Sequence, residues 1–138
     1  MQLKYAADLQ RYRDCPPVAA APCTREAFRF VHADIDDPRN FLTPAGLSPR
    51  RDFRPGQRCV SHALSFWASN EQAVAYFSHK QDENPNFNKT IGTHLARGTL
   101  SESAGIACPP RQNGHFSFFE AANADFAEVF EITGSLRL

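Results

Sequence analysis

The chain lacks the glycine fingerprints of common nucleotide folds. Neither G-x-G-x-x-G after a strand nor G-x-x-x-x-G-K-[ST] occurs, which excludes a Rossmann or P-loop site. H-E-x-x-H and G-x-S-x-G are missing too, which excludes the zinc-protease helix and the hydrolase nucleophile elbow. Neither sign of charge is in excess. With 15 basic and 15 acidic residues, there is no electrostatic case for binding nucleic acid or an anionic membrane. No apolar run approaches the roughly 20 residues of a membrane span. The opening MQLKYAADLQRYRD has no hydrophobic signal-peptide centre. None of the four cysteines (Cys15, Cys23, Cys59, Cys108) forms a C-x-x-C, which argues against a zinc knuckle or a thioredoxin-type motif. Free thiols in a reducing, cytoplasmic compartment are therefore expected. Secretion of an effector by a signal-less route would leave the same pattern. No two of the five histidines stand at helical i,i+4 spacing, so no metal is expected.

What is present is a globular composition. The 138 residues suit one core, and aromatics make up 12%, mostly Phe. Residues 1–27 read as a short N-terminal helix around Leu3–Tyr12 followed by a Pro/Ala-rich lead-in, CPPVAAAPC, whose prolines stop a helix. Residues 28–138 read as a single α+β domain.

The organising stretch is CVSHALSFWASNEQAVAYFSHK, Cys59 to Lys80. Its first half is strand-like. Ser69 then serves as an N-cap with Gln72 three residues on, and Ala73, Val74 and Phe77 share one helical face. Before it, FRFVHADI (Phe28–Ile35) has apolar residues on both alternating sides, as a central strand does. The segment 36–58 is irregular, rich in Pro and Gly, and carries Arg50, Arg51, Arg54 and Arg58. A loop this long in a compact domain is functional or disordered. Strands are also expected near 92–102, with Gly98 as a bulge or close approach, near 114–119, and near 128–133 after one helical turn. The predicted architecture is a mainly antiparallel, twisted or split sheet with one or two short helices.

Polar residues fall on three of these strands: Arg29 and His32 on the first, Ser65 near the end of the second, and Glu120 at the end of HFSFFE. The segments FRFVHA, LSFWASNEQAVAYF and HFSFFE, in this order and spacing, resemble the ADP-ribosyltransferase superfold over roughly residues 28–133. The closest likeness is to its small stand-alone bacterial members, toxins among them. The resemblance implies NAD as a substrate and no metal. It implies that His32 with Arg29 holds the ribose or amide, that Phe66 or Trp67 stacks on nicotinamide beside the Ser65 hydroxyl, and that Arg54 with the other loop arginines covers the pyrophosphate. Glu120 would be the catalytic acid, with Glu102 in reserve. The chemistry is coherent: breaking the nicotinamide bond develops positive charge on the ribose, and one fixed carboxylate in a pocket stabilises it. ADP-ribose would pass to a protein or small-molecule acceptor that the residues do not identify.

Two features motivate an alternative. The Tyr usual on the second strand is absent, and the aromatic run Phe116, Phe118 and Phe119 reads as exposed. On that reading the same scaffold is a non-catalytic protein-binding module of immunity or regulatory type. A third reading makes Cys59 a nucleophile paired with a histidine.

Overall fold

The computed structural model describes residues 1–136. Six antiparallel strands form one sheet: β1 (Arg25–Val31), β2 (Leu64–Trp67), β3 (His94–Leu100), β4 (Gly105–Ala107), β5 (His115–Glu120) and β6 (Glu131–Ser135). Their order across the sheet is β4-β5-β2-β1-β3-β6. The expected α+β class and antiparallel pairing are thus seen. The sequence segment with apolar residues on both sides lies in the middle of the sheet, where both faces are covered.

β1 and β3 run in unbroken register from Arg25↔Leu100 to Val31↔His94, whereas β1 and β2 share only Phe28↔Trp67. The two central strands therefore diverge beyond that pair. Along β2 and β5, Leu64↔Phe118 and Phe66↔Phe116 lie on one face, and Ser65↔Ser117 and Trp67↔His115 lie on the other.

The faces are covered differently. On one, β2 runs directly into α3 (Asn70–Glu83), which follows α1 (Ala6–Leu9) and α2 (Pro44–Leu47) in the chain. The Ser69 side chain accepts a hydrogen bond from Gln72 N, as the capping pattern predicts. Ala73 and Phe77 of α3 close over Phe28, Phe30, Trp67 and Leu95. α4 (Phe87–Ile91) brings Phe87 against Phe30, Tyr76 and Phe77, so the polar stretch 81–90 is more helical than its turn-rich composition suggests. Gly92 ends it at φ +116°, where an added Cβ would collide with the Val31 carbonyl; only glycine fits.

The opposite face holds Ala27, Val31, Leu64, Phe66, Ala96, Phe116, Phe118, Phe126 and Phe130. Phe66 stacks on Phe130 and meets Phe118 edge-on, with centroids 5.4 and 5.6 Å away. Phe126 and Phe130 are supplied by α5 (Phe126–Val129) and the residue after it, the expected turn-then-strand ending. Gly98 is a close approach, not a bulge: an added Cβ would lie 2.6 Å from the Phe130 ring. The irregularity of β3 falls instead at Leu95/Ala96, against β6.

Three expectations need correction. Phe116, Phe118 and Phe119 are buried, not exposed, because both faces of β5 are covered. The second strand starts at Leu64 because Val60–His62 form a 3-10 turn, preceded by another at Pro55–Gln57. The cysteines are not all free. Cys15 and Cys59 form a disulfide across 44 residues, while Cys23 and Cys108 remain thiols. That pairing is invisible to local spacing rules, since it depends on α1 (Ala6–Leu9) packing beside the start of β2. Leu9 is buried with Ala63 and Phe119, and Cys15 and Cys59 flank this cluster. The lead-in is tied down elsewhere as well, by bridges Leu3↔Ala121 and Ala21↔Ala107. A disulfide persists in oxidising surroundings, which weakens the case for a reducing compartment. No helix among the described residues is long and apolar enough to cross a membrane.

Candidate active site

Glu120 ends β5 on the Phe66 face and is only 4% exposed. Its Oε1 has no hydrogen-bond partner, and its Oε2 lies 3.8 Å from Lys4 Nζ. Burial pushes its pKa up, and Lys4 and Arg29 pull it back. An unpaired buried carboxylate oxygen is costly to keep in a folded protein, so its place calls for an explanation. Glu120 is among the residues around a cleft of about 260 Å³ whose other walls include Lys4, Asp37, Leu42, Phe41 and Asp125.

Arg29 lies on the same face, two strands away. Its Nε donates to the Asn40 carbonyl at 2.7 Å, Nη1 to the Ser65 carbonyl at 2.8 Å and Nη2 to the Leu42 carbonyl at 3.2 Å. The guanidinium also sits over the rings of Phe41 and Phe66, 5.7 and 5.8 Å from their centroids. Its enclosure lowers its pKa to about 10, partly offset by Glu120, so it stays charged at neutral pH. Arg29 therefore clamps the loop 40–42 to β2, and its charge, after that of Lys4, acts on Glu120; most of its donors are spent on protein carbonyls.

Asn40 completes this clamp and was not singled out by sequence. It is 2% exposed, accepts from His32 N through Oδ1, and donates from Nδ2 to the carbonyls of Asp34 and Ile35. It turns the chain back from β1 into the loop. The side-chain amide that satisfies three backbone groups at once is the local reason the segment 34–42 is ordered. A lone Asn in a polar stretch carries no sequence signal for this. Next to it, Arg39 and Asp37 form a close pair through Nη2 at 2.7 Å, and this hydrogen bonding holds the Asp37 carboxyl well below the usual range.

The other expected site residues are dispersed. His32 follows the end of β1. Burial and the neighbouring Arg39 lower its pKa, Asp37 opposes them, and it does not line the cleft at Glu120. Phe66 is on the correct face but fully buried beneath the Arg29 guanidinium. Ser65 and Trp67 point to the α3 face. The Ser65 hydroxyl lies 2.9 Å from His115 Nε2, and Trp67 is buried with its ring 4.4 Å from that of Tyr76. Trp67 is thus a core residue and Ser65 does not face Glu120. Arg54 is exposed ahead of the first 3-10 turn and lines neither this cleft nor the larger one beside it. Glu102 is exposed in the turn between β3 and β4. Cys59, bonded to Cys15, is no nucleophile in this state.

Of the proposed constellation, the fold therefore puts Glu120 and Arg29 on one face of the sheet, where each feels the other's charge, and leaves Ser65 and Trp67 on the other face. No group of three or more His, Cys, Asp or Glu side chains among the described residues is arranged to hold a metal ion. Comparison with protein-family models, with curated proteins and with solved structures gives no match.

Proposed function

We propose that this chain is an ADP-ribosyltransferase-like protein that takes NAD at the Glu120 cleft and transfers ADP-ribose to an acceptor. The observation that carries the reading is a single one: a buried carboxyl with an unpaired oxygen, on the same face as a charged arginine and beside a cleft. Such a carboxylate is suited to a cation that forms only during reaction. As the bond between the ribose and nicotinamide breaks, its electron pair leaves with the ring nitrogen and nicotinamide departs neutral. The ribose is left as an oxocarbenium ion, and ionised Glu120 stabilises it. An acceptor nucleophile then bonds to the ribose carbon and loses its proton. Arg29 fixes the loop that walls the cleft and is a positioning residue.

The test is nicotinamide release from millimolar NAD by the intact, disulfide-bonded chain. Glu120→Gln should lower the rate at least about 100-fold, the scale of one preorganised electrostatic group. The rate should rise with pH through a pKa above the ordinary carboxylate range, since only the ionised acid stabilises the cation. Absence of both nicotinamide release and any NAD-induced thermal shift rejects the reading.

One observation favours a second reading. The hydroxyl and the large aromatic of β2 are turned to the α3 face, away from Glu120, and Phe66 on the Glu120 face is fully buried, which leaves no exposed aromatic stacking platform from that strand. On this reading the scaffold is a non-catalytic protein-binding module. A stable protein partner whose binding is unaffected by NAD, and by Glu120→Gln, would favour it.

A further inference from the structure

The α3 face of the sheet is covered in two separate places. One cluster is built on Trp67 beneath α3. The other is built on Phe119, with Leu9 of α1 over it and the Cys15–Cys59 disulfide beside it. His115 and Ser117 share that face of β5 with Phe119, and Ser65 shares it from β2. The strip of sheet between the two clusters is therefore polar. Ser65 is exposed there, with Ser117 paired opposite and His115 on the diagonal. Diagonal neighbours across an antiparallel pair stand about 7–8 Å apart, which a long side chain spans. His115 does so: its Nε2 lies 2.9 Å from Ser65 Oγ.

Both partners are held in place from behind. The Ser65 carbonyl accepts from Arg29 Nη1 at 2.8 Å. The His115 N–H donates to Asn113 Oδ1 at 3.0 Å, and its carbonyl accepts from Arg111 N at 2.8 Å. The imidazole meets the Trp67 ring edge-on, 5.3 Å between centroids. Burial first, then the charge of Arg111, lowers its pKa below the ordinary 6.5, so the ring is neutral at pH 7. With its proton on Nδ1, Nε2 is free to accept from the Ser65 hydroxyl. The Arg111 guanidinium is exposed and has no side-chain partner among the described residues.

We infer that Ser65 and His115 are a nucleophile and its base, and that the pair cleaves acyl esters. Ser65 Oγ bonds to the ester carbonyl carbon while its proton passes to His115 Nε2. The carbonyl oxygen becomes an oxyanion, for which Arg111 is the cation at hand. The bond to the alcohol oxygen then breaks, the alcohol leaves with the proton from His115, and Ser65 carries the acyl group. Water attacks the acyl carbon and gives a proton to His115. That proton returns to Ser65 Oγ as it leaves, and the carboxylic acid departs. The exposure of Ser65 suits a short acyl chain, which needs little burial. Cys108 is the rival nucleophile, since its N–H bonds the Ser117 carbonyl, but burial raises its pKa and keeps the thiol protonated. The pair stands on the face opposite Glu120, so its chemistry is independent of NAD.

The experiment follows p-nitrophenolate release from p-nitrophenyl acetate by the full, oxidised chain, and marks the nucleophile with a fluorophosphonate located by peptide mass mapping. Release should be at least about tenfold faster than from the Ser65→Ala variant, and the label should sit on Ser65. His115→Gln should slow the labelling at least about 100-fold, the scale of one general base. Cys108→Ser and Ser117→Ala should leave both readouts unchanged. The labelling rate should climb with pH through a value below 6.5 and then level off, a profile that a hydrogen bond serving only the fold would not impose. Should His115→Gln fail to fold, Ser65→Ala and the pH profile decide, since the Ser65 side chain is exposed. Release no faster than from Ser65→Ala overturns the inference. So does a label on Ser117 or Cys108, no label at all, or a rate that keeps climbing with pH.

Discussion

The two faces of the sheet are built on opposite plans. The α3 face is closed by the helix that follows β2 at once, and its cluster of Phe30, Trp67, Tyr76, Phe77 and Phe87 is ring against ring with no charge inside. The other face is closed by segments from distant parts of the chain, and it carries a charged arginine and a carboxyl among its phenylalanines. The first plan maximises apolar contact, and its polar pair, Ser65 and His115, stands outside the ring cluster. The second keeps polar groups in poor solvent, which is stabilising only where partners or ligands compensate. The proposed NAD chemistry draws on the second face.

That contrast can be broken from the outside. The disulfide closes a loop of 44 residues, and loop-closure entropy assigns it about 4 kcal/mol. Cys15→Ser, followed by chemical denaturation, should show a loss of that order. Hydrogen exchange sharpens the point. Amides of α1 and of 55–63 should lose protection first, while those of α3 keep theirs. Uniform loss of protection would mean that the two faces do not open separately.

A smaller change acts from within. Arg29→Met preserves the stem over Phe41 and Phe66 but leaves the carbonyls of Asn40, Leu42 and Ser65 without their donor. At roughly 1 kcal/mol for each hydrogen bond lost, the cost should be about 3 kcal/mol, measured by denaturant midpoint at unchanged slope. The corresponding truncation on the α3 face removes only packing, so its cost should not depend on salt. The Arg29 variant should also loosen the loop 36–42, seen as faster exchange there. A change under about 0.5 kcal/mol would show that the guanidinium is a bystander.

The legible parts of this molecule follow the same division. The Ser69 cap, the helical face of Ala73 and Phe77, and the alternation in FRFV and HFSFF are local patterns, and α3 and the strands lie close to where those patterns end. Fold class was readable because period and capping are local physics. The site was not, for reasons specific to each residue. Ser65 and Trp67 stand next to Phe66 in sequence, and a strand sends neighbours to opposite faces, so a site drawn from all three had to be split. Asn40 and Lys4 carry no local pattern: the Asn40 amide bonds backbone groups at 32, 34 and 35 across an irregular turn, and Lys4 meets Glu120 from the far end of the chain. Cys15 and Cys59 show the same limit. Only the docking of α1 against Ala63 and Phe119 places them within bonding distance.

The subtlest test concerns the sign of a pH effect at Glu120. Its folded pKa is raised above the ordinary 4.5 by burial, with Lys4 and Arg29 acting in the opposite direction. A raised pKa means the folded state holds the proton more tightly than the unfolded state does. The contribution to stability is therefore full below pH 4.5 and lost as pH rises through the folded value. This is the reverse of a carboxylate stabilised by a salt bridge, whose contribution fades in acid. Glu120→Gln replaces the acid by a neutral group of the same shape, so its melting temperature should lack the decline that the parent shows above pH 4.5. Subtracting the two melting profiles isolates this carboxyl from every other titrating group. If the parent instead gains stability relative to the glutamine variant as pH rises, Lys4 and Arg29 outweigh burial. The carboxyl would then be a paired structural ion, and the distinction drawn between the two faces would lose its chemical half.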